Sequence, residues 1–262
     1  TPGATTVIVA PDTAKKLQII MPGEAARPGK GPYDSNPTTG GKDYQPDILT
    51  AGNTVYAAVN CVDRYFNRVA GCNPTVDVEF ADANTVENDE SGEFAIKALV
   101  SGTNSFAVRF LATGWRGGGS LGSSRTVTAS ELGTTCAGAA CTADSRSVGV
   151  KPNTAKKLQV IVRPGTTACP VSGSVDQLER PGSASGLSCG VNDGRNKQAG
   201  QQFYIRTNAV DEFFNRKNFP GEVDNRNVKI VTSDPYDTEN DGVSWVSVPL
   251  GLRGDNASLR VQ

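Results

Sequence analysis

The stretch TAKKLQII, Thr13–Ile20, returns as TAKKLQVI, Thr154–Ile161, 141 positions later. The match reaches backward, where TTVIVAPD (Thr5–Asp12) stands against RSVGVKPN (Arg146–Asn153). It also reaches forward. NTVYAAVNCVDRYFNR (Asn53–Arg68) matches QQFYIRTNAVDEFFNR (Gln201–Arg216) at an offset of 148, and TVDVEFADANTVEND (Thr75–Asp89) matches NVKIVTSDPYDTEND (Asn227–Asp241) at 152. Self-similarity of this extent means two copies of one structural unit. The growing offset puts two longer loops in the second copy, where surface insertions are tolerated.

Inside each copy the apolar period is two. Leu17, Ile19 and Met21 alternate with polar or outward positions, as do Leu158, Val160 and Val162. Val55, Ala57 and Val59 repeat the pattern, then Val76, Val78 and Phe80; Phe203 and Ile205, then Val228 and Ile230, take the same places in the second copy. Alternation bounded by Gly, Pro, Asn and Asp predicts half-buried strands, and no window carries a helical stripe. In the first copy the predicted strands are Lys16–Met21, Thr54–Val62, Thr75–Phe80, Phe94–Leu99, Ser105–Leu111, Arg125–Ala129 and Ser147–Lys151. Such a series predicts an all-β chain of tandem antiparallel sandwiches; alternation alone also fits a closed barrel.

Composition agrees. Of the 262 residues, 29 are Gly and 15 Pro, which suits many short strands joined by turns. A net charge of −1 offers no electrostatic footprint for nucleic acid, and no apolar run has the length of a membrane helix, so neither a nucleic-acid partner nor membrane insertion is expected. Histidine is absent, which removes Ser–His and Cys–His nucleophiles and the commonest metal ligand. The expectation is a non-enzymatic protein with no catalytic residues, no metal and no cofactor.

The six cysteines are Cys61, Cys72, Cys136, Cys141, Cys169 and Cys189, with no C-x-x-C pair. Even number and spacing fit disulfides better than zinc. Cys61 aligns with Ala209 and Cys72 with Pro220, so both are missing together from the second copy, as a bonded pair would be. The remaining four are neighbours in sequence, and the pairing 61–72, 136–141, 169–189 follows. Each short loop is worth roughly 2–3 kcal/mol in the chain-entropy account. Disulfides imply an oxidising, extracellular or cell-surface setting.

Several motifs imitate chemistry. GGGSLG (Gly117–Gly122) matches a dinucleotide loop in letters, but a strand-like RTVTAS follows where a helix is needed, so it reads as a hairpin loop. The acidic groups Asp82, Glu87, Asp89, Glu90 and Asp234, Asp237, Glu239, Asp241 could offer oxygens to calcium; their spacing is not that of an EF-hand, and solvated turns explain them. Asp63 and Asp211 stand four residues before Asn67 and Asn215 and read as turn caps rather than an acid–base pair. Tyr65, Phe66, Phe213, Phe214 and Trp115 read as lids on the sandwich ends, with sugar stacking as the alternative. NAS at Asn256 is a single glycosylation sequon.

The motifs AKKLQV, AVDEFFNR and V-x-I-x-x-S-D-P resemble bacterial immunoglobulin-like modules found in tandem on large surface and secreted proteins. Phe66 and Phe214 stand where that family usually has Gly. The resemblance implies stalks, spacers or filament subunits rather than enzymes. It divides the chain into an orphan strand over residues 1–10, an immunoglobulin-like domain over 11–153 and a second over 154–262 that is incomplete at its C-terminal end. RSVGVKP is the last strand of the first domain; TTVIVAP aligns with it, yet no domain precedes it here. Thr6, Val7, Ile8 and Val9 are therefore the expected subunit contact, completing another copy by strand addition. A longer tandem array supplying both missing pieces is the competing account. The expected function is a structural subunit of an extracellular filament or stalk, partnered by copies of itself or by flanking repeats. The alternative is an adhesin binding a glycan or host protein.

Overall fold

Apolar residues at every second position build two main sheets in the first copy. The computed structural model describes residues 9–33, 39–81, 96–113, 125–136, 138–162, 203–216 and 259–261. Among them the protein is all-β. No described helix is long and apolar enough to cross a membrane.

In the first sheet β1 (Lys16–Ile20) pairs antiparallel with β5 (Thr54–Val62), and β5 with β8 (Thr103–Arg109). In the second, the order is β10 (Asp144–Val148), β9 (Arg125–Glu131), β6 (Thr75–Ala81) and β7 (Lys97–Ala98). Four shorter strands complete this copy. β2 (Ala25–Ala26) pairs with β3 (Lys42–Asp43), and β4 (Leu49–Thr50) runs parallel to β11 (Val150–Lys151). The inward side chains of both sheets meet in one cluster. Leu17 and Ile19 enter from β1, Ala57, Val59 and Cys61 from β5, and Phe106 and Val108 from β8; the other sheet contributes Val76, Val78, Val127, Ala129 and Val148.

Alternation fails on β1 for a definable reason. Gln18 is as buried as its apolar neighbours, and Lys16 nearly so. The segment between β1 and β4 covers the outer face: Lys16 Nζ donates to the Tyr33 carbonyl at 3.0 Å, and Gln18 Nε2 to the Gly41 carbonyl at 2.8 Å. The same segment is pinned by a buried ion pair, Lys42 Nζ to Asp144 at 2.9 Å, whose carboxylate also accepts from the Ile19 amide at 2.7 Å. Burial raises the Asp144 pKa, and the Lys42 charge and the hydrogen bonds only partly oppose this.

The β8 strand begins at Thr103 rather than the expected Ser105. Ser101 (φ 51°) and Gly102 (φ 73°) form a tight turn in which Val100 and Thr103 exchange both backbone hydrogen bonds. Positive φ at both central residues suits the twist of a hairpin, and the ladder therefore starts two residues early. Two-residue strands such as β2, β3 and β4 carry no period and have no sequence signal of this kind.

The second copy repeats the first sheet. β12 (Lys157–Val162) pairs with β13 (Phe203–Val210), and β13 with β14 (Leu259–Val261). The register is conserved: Lys157↔Val210 stands where Lys16↔Val62 does, and the bridge Val210↔Arg216 where Val62↔Arg68 does. Phe203↔Val261 likewise takes the place of Val55↔Val108. One expectation is reversed. Leu158 and Val160 are 55% and 51% exposed, whereas Leu17 and Ile19 are fully buried. Among the described residues no second sheet covers that face of β12.

Candidate interface between the two copies

The repeated sequence D-x-x-x-N builds the same turn twice. After β5, Asp63 accepts from the backbone amides of Tyr65 (2.8 Å) and Asn67 (2.9 Å), and from the Asn67 side chain at 2.9 Å. After β13, Asp211 accepts from the amides of Phe213 and Asn215, each at 2.9 Å, and from the Asn215 side chain. Each carboxylate also fixes the chain entering its copy: Asp12 N–H donates to Asp63 at 2.9 Å and Asn153 N–H to Asp211 at 2.9 Å. Both carboxylates are thus turn caps. Burial tends to raise the Asp63 pKa, but its hydrogen bonds, that from the Asn67 side chain first, hold it below the ordinary 3.8.

The third residue after each Asp is Phe, and its φ is positive: 65° at Phe66 and 64° at Phe214. A side chain in this region costs about 1–2 kcal/mol, which is why Gly suits the position. Here the ring compensates. Phe66 is buried, and Lys16 Nζ lies 3.7 Å above its centroid; Lys157 Nζ lies 3.4 Å above Phe214. The cation of buried Lys16 contributes about 2 kcal/mol there, and that of exposed Lys157 about 0.5–1 kcal/mol.

The second turn docks on the end of the first copy. There the residues after β4 turn back through Gly52 (φ +83°), whose amide donates to the Phe110 carbonyl at 2.7 Å. Segment 111–113 is held by buried Arg125, which donates to the carbonyls of Ala112 and Thr113, each at 3.0 Å. Phe213 sits on Gly52, so that a Cβ at that glycine would run into the ring, and Arg109 lies 5.6 Å from the ring centroid. The carboxamide of Asn215 behaves as a surrogate peptide group. It accepts from Thr113 N–H at 2.7 Å and donates to the Leu111 carbonyl at 2.7 Å, pairing the amide of buried Thr113 across the joint. Asn153 adds a weaker bond to the Ala51 carbonyl at 3.2 Å. Asn215 and Asp211 are fully buried.

Sequence reading found the Asp caps but not this contact. Asn215 and Phe213 could have been suspected from the repeat, but Gly52, Arg109, Leu111 and Thr113 lie a hundred or more positions away and carry no matching pattern. The contact also separates the aromatic residues. Phe66 is buried beneath Lys16, Phe213 is between copies, and Tyr65 alone of the described turn aromatics is exposed, with Tyr33 edge-on at 5.2 Å. Trp115, both acidic groups, Gly117–Gly122 and Asn256 lie outside the described residues.

The structure bonds Cys61 to Cys72 (Cα–Cα 6.0 Å) and Cys136 to Cys141 (Cα–Cα 5.0 Å). Cys169 and Cys189 lie outside the described residues. Sequence spacing treats the first two bonds as separate staples, but tertiary packing brings them together. All four sulfurs are buried within 4.8 Å of one another, with Cys61 Sγ 3.9 Å from those of Cys136 and Cys141. Glu131 positions the outer loop by accepting from the amides of Thr135 and Cys141. This is the one group of metal-type ligands among the described residues. As disulfides the sulfurs offer no thiolate, the form that binds metal.

Of the expected subunit-contact residues, Thr6, Val7 and Ile8 lie outside the described residues, and Val9 is 85% exposed. Its counterpart Val150 is 6% exposed, on β11 beside β4, and Val148 is 2% exposed on β10. No family model, curated protein or solved structure matches this chain.

Proposed function

We propose that the chain is a structural, non-enzymatic component of an extracellular filament or surface stalk. In this reading two tandem immunoglobulin-like β-sandwiches join head to tail by strand complementation. The observation that carries it is the contrast between two aligned valines. Val150 is packed as the last strand of the first copy, whereas Val9 is 85% exposed and contributes nothing to the copy that follows it. The Asp12–Asp63 and Asn153–Asp211 hydrogen bonds fix the chain entering both copies in the same way. In this reading the segment ahead of each bond packs with a neighbouring unit, and Val9 is open to one. The exposed Leu158 and Val160 on β12 offer apolar surface of the kind a complementing strand buries. Two disulfides suit an oxidising compartment.

The adhesin reading needs the turn aromatics on one ligand-facing surface. Phe66 and Phe213 are instead committed to packing, which favours the structural reading.

Burying Val7 and Val9 contributes roughly 3–5 kcal/mol. Deleting residues 1–10, or the pair Val7→Asp and Val9→Asp, is expected to abolish linear polymers in electron micrographs while the first copy stays folded. Unchanged filaments from either variant would refute the reading.

A further inference from the structure

The two disulfides lie against each other, and their four sulfurs outline a figure that neither bond requires. Across the pairs, Cys61 Sγ is 3.9 Å from Cys136 Sγ and 3.9 Å from Cys141 Sγ, and Cys72 Sγ is 3.9 Å from Cys136 Sγ. All four sulfurs are buried and lie within 4.8 Å of one another. Four thiolates held about 2.3 Å from one tetrahedral zinc ion stand about 3.8 Å apart. Three distances between the pairs therefore already match the edge of that tetrahedron. The backbone holds this arrangement with bonds of its own. The Val69 amide donates to the Cys61 carbonyl at 2.9 Å and the Cys72 amide to the Val69 carbonyl at 3.0 Å, which turns the chain from the end of β5 back toward Cys72. On the other side the Ala139 amide donates to the Cys136 carbonyl at 3.0 Å, and Glu131 accepts from the amides of Thr135 and Cys141. None of these bonds uses a sulfur.

We propose that Cys61, Cys72, Cys136 and Cys141 form, in the reduced chain, a four-thiolate site for one soft divalent cation such as zinc, and that the two disulfides are the oxidised state of the same centre. Opening the disulfides takes two equivalents of a phosphine from solution. Each phosphine gives two electrons to one disulfide and becomes its oxide with oxygen from water, and the two protons of that water complete two thiols. The cation then displaces four thiol protons to solvent, because a coordinating thiol is deprotonated. The Cys136–Cys141 loop is short enough to give two ligands to one ion, and β5 with the turn after it brings the other two, a juxtaposition only tertiary packing makes. The second copy has Ala209 and Pro220 in place of Cys61 and Cys72, so the site belongs to the first copy. Either state staples the end of β5 to the loop before β10. The first copy thus keeps this staple in a reducing compartment as well as in an oxidising one. The proposal does not depend on the head-to-tail reading.

The test is a cobalt titration of the full chain carrying Cys169→Ser and Cys189→Ser, reduced with a phosphine in denaturant and refolded without oxygen. With those two sulfurs removed and no histidine in the chain, four-thiolate ligation has a single source. The expected result is the intense visible absorption of tetrahedral thiolate cobalt, saturating at about one ion per chain, together with the far-UV circular dichroism of β-sheet. Zinc should then bleach the cobalt absorption. The same variant left oxidised is expected to take up no cobalt, since its sulfurs carry no thiolate. Cys61→Ser or Cys141→Ser in this background, each removing one ligand, should lose the four-thiolate absorption. A reduced chain without tetrahedral absorption, or one that saturates at about half an ion per chain, overturns the proposal. So does cobalt absorption without the sheet signal, which is ligation by an unfolded chain, and so does full absorption from either single-ligand variant. Where a single-ligand variant does not refold, the result on the four-cysteine chain decides.

Discussion

Replacing Asn215 with Ala tests the joint between the copies directly. The side chain is fully buried and satisfies two backbone groups of the first copy, the Thr113 amide and the Leu111 carbonyl, each at 2.7 Å. Alanine removes the bond to the Leu111 carbonyl and takes the side-chain acceptor from the Thr113 amide at a site where Thr113 is itself buried. One orphaned buried group costs about 1–3 kcal/mol, and that is the expected loss, lower if water enters the gap. Loss of the Asn215–Asp211 bond weakens the turn in addition. The assay is urea denaturation of the full chain, with amide hydrogen exchange at Thr113 as the local probe. The variant is expected to unfold at lower urea, and Thr113 to lose at least tenfold protection. Asn67→Ala is the internal comparison, because it removes the equivalent turn bond with no contact between copies. If Asn215→Ala costs under about 0.5 kcal/mol, below any single buried orphan, and Thr113 stays protected, the surrogate-peptide account is wrong.

Three further outcomes are expected. Phe66→Gly should be less stable than the parent, because a buried Phe is worth about 3–5 kcal/mol, yet more stable than Phe66→Ala by about 1 kcal/mol, since φ is positive there; equal chemical denaturation midpoints for the two variants would contradict this. The pKa of Asp63 is depressed in the fold, so its stabilisation is present above the ordinary 3.8 and is lost as pH falls through the depressed value. Stability measured against pH should therefore fall more steeply in acid for the parent than for Asp63→Asn, and parallel curves would argue against a role for the charge. In Cys72→Ser the freed Cys61 sulfur lies 3.9 Å from both Cys136 and Cys141, so non-reduced peptide mapping should find Cys61 linked to one of them. Finding only a free Cys61 beside an intact 136–141 bond would show that the sulfurs do not exchange.

What the sequence by itself determined is local and repetitive. Alternation at Val55, Ala57 and Val59 and at Val76 and Val78 identified strands, because a residue's direction on a strand follows from its parity alone. The repeat carried the equivalence of β1–β5 with β12–β13, since matching stretches in the same order select the same ladder. D-x-x-x-N identified its own cap, because the bonds from the Asp to the turn amides and to the Asn side chain close within five residues. Tertiary structure decided everything that depends on what lies opposite. Gln18 is polar yet buried because the segment before β4 covers it. Leu158 repeats Leu17 in sequence but not in environment, because burial belongs to the covering layer and not to the residue. The two disulfides are neighbours only because β5 ends against the loop before β10. Asn67 and Asn215 are the same residue in the same turn, and Asn215 alone is a joint, because Leu111 and Thr113 stand in front of it.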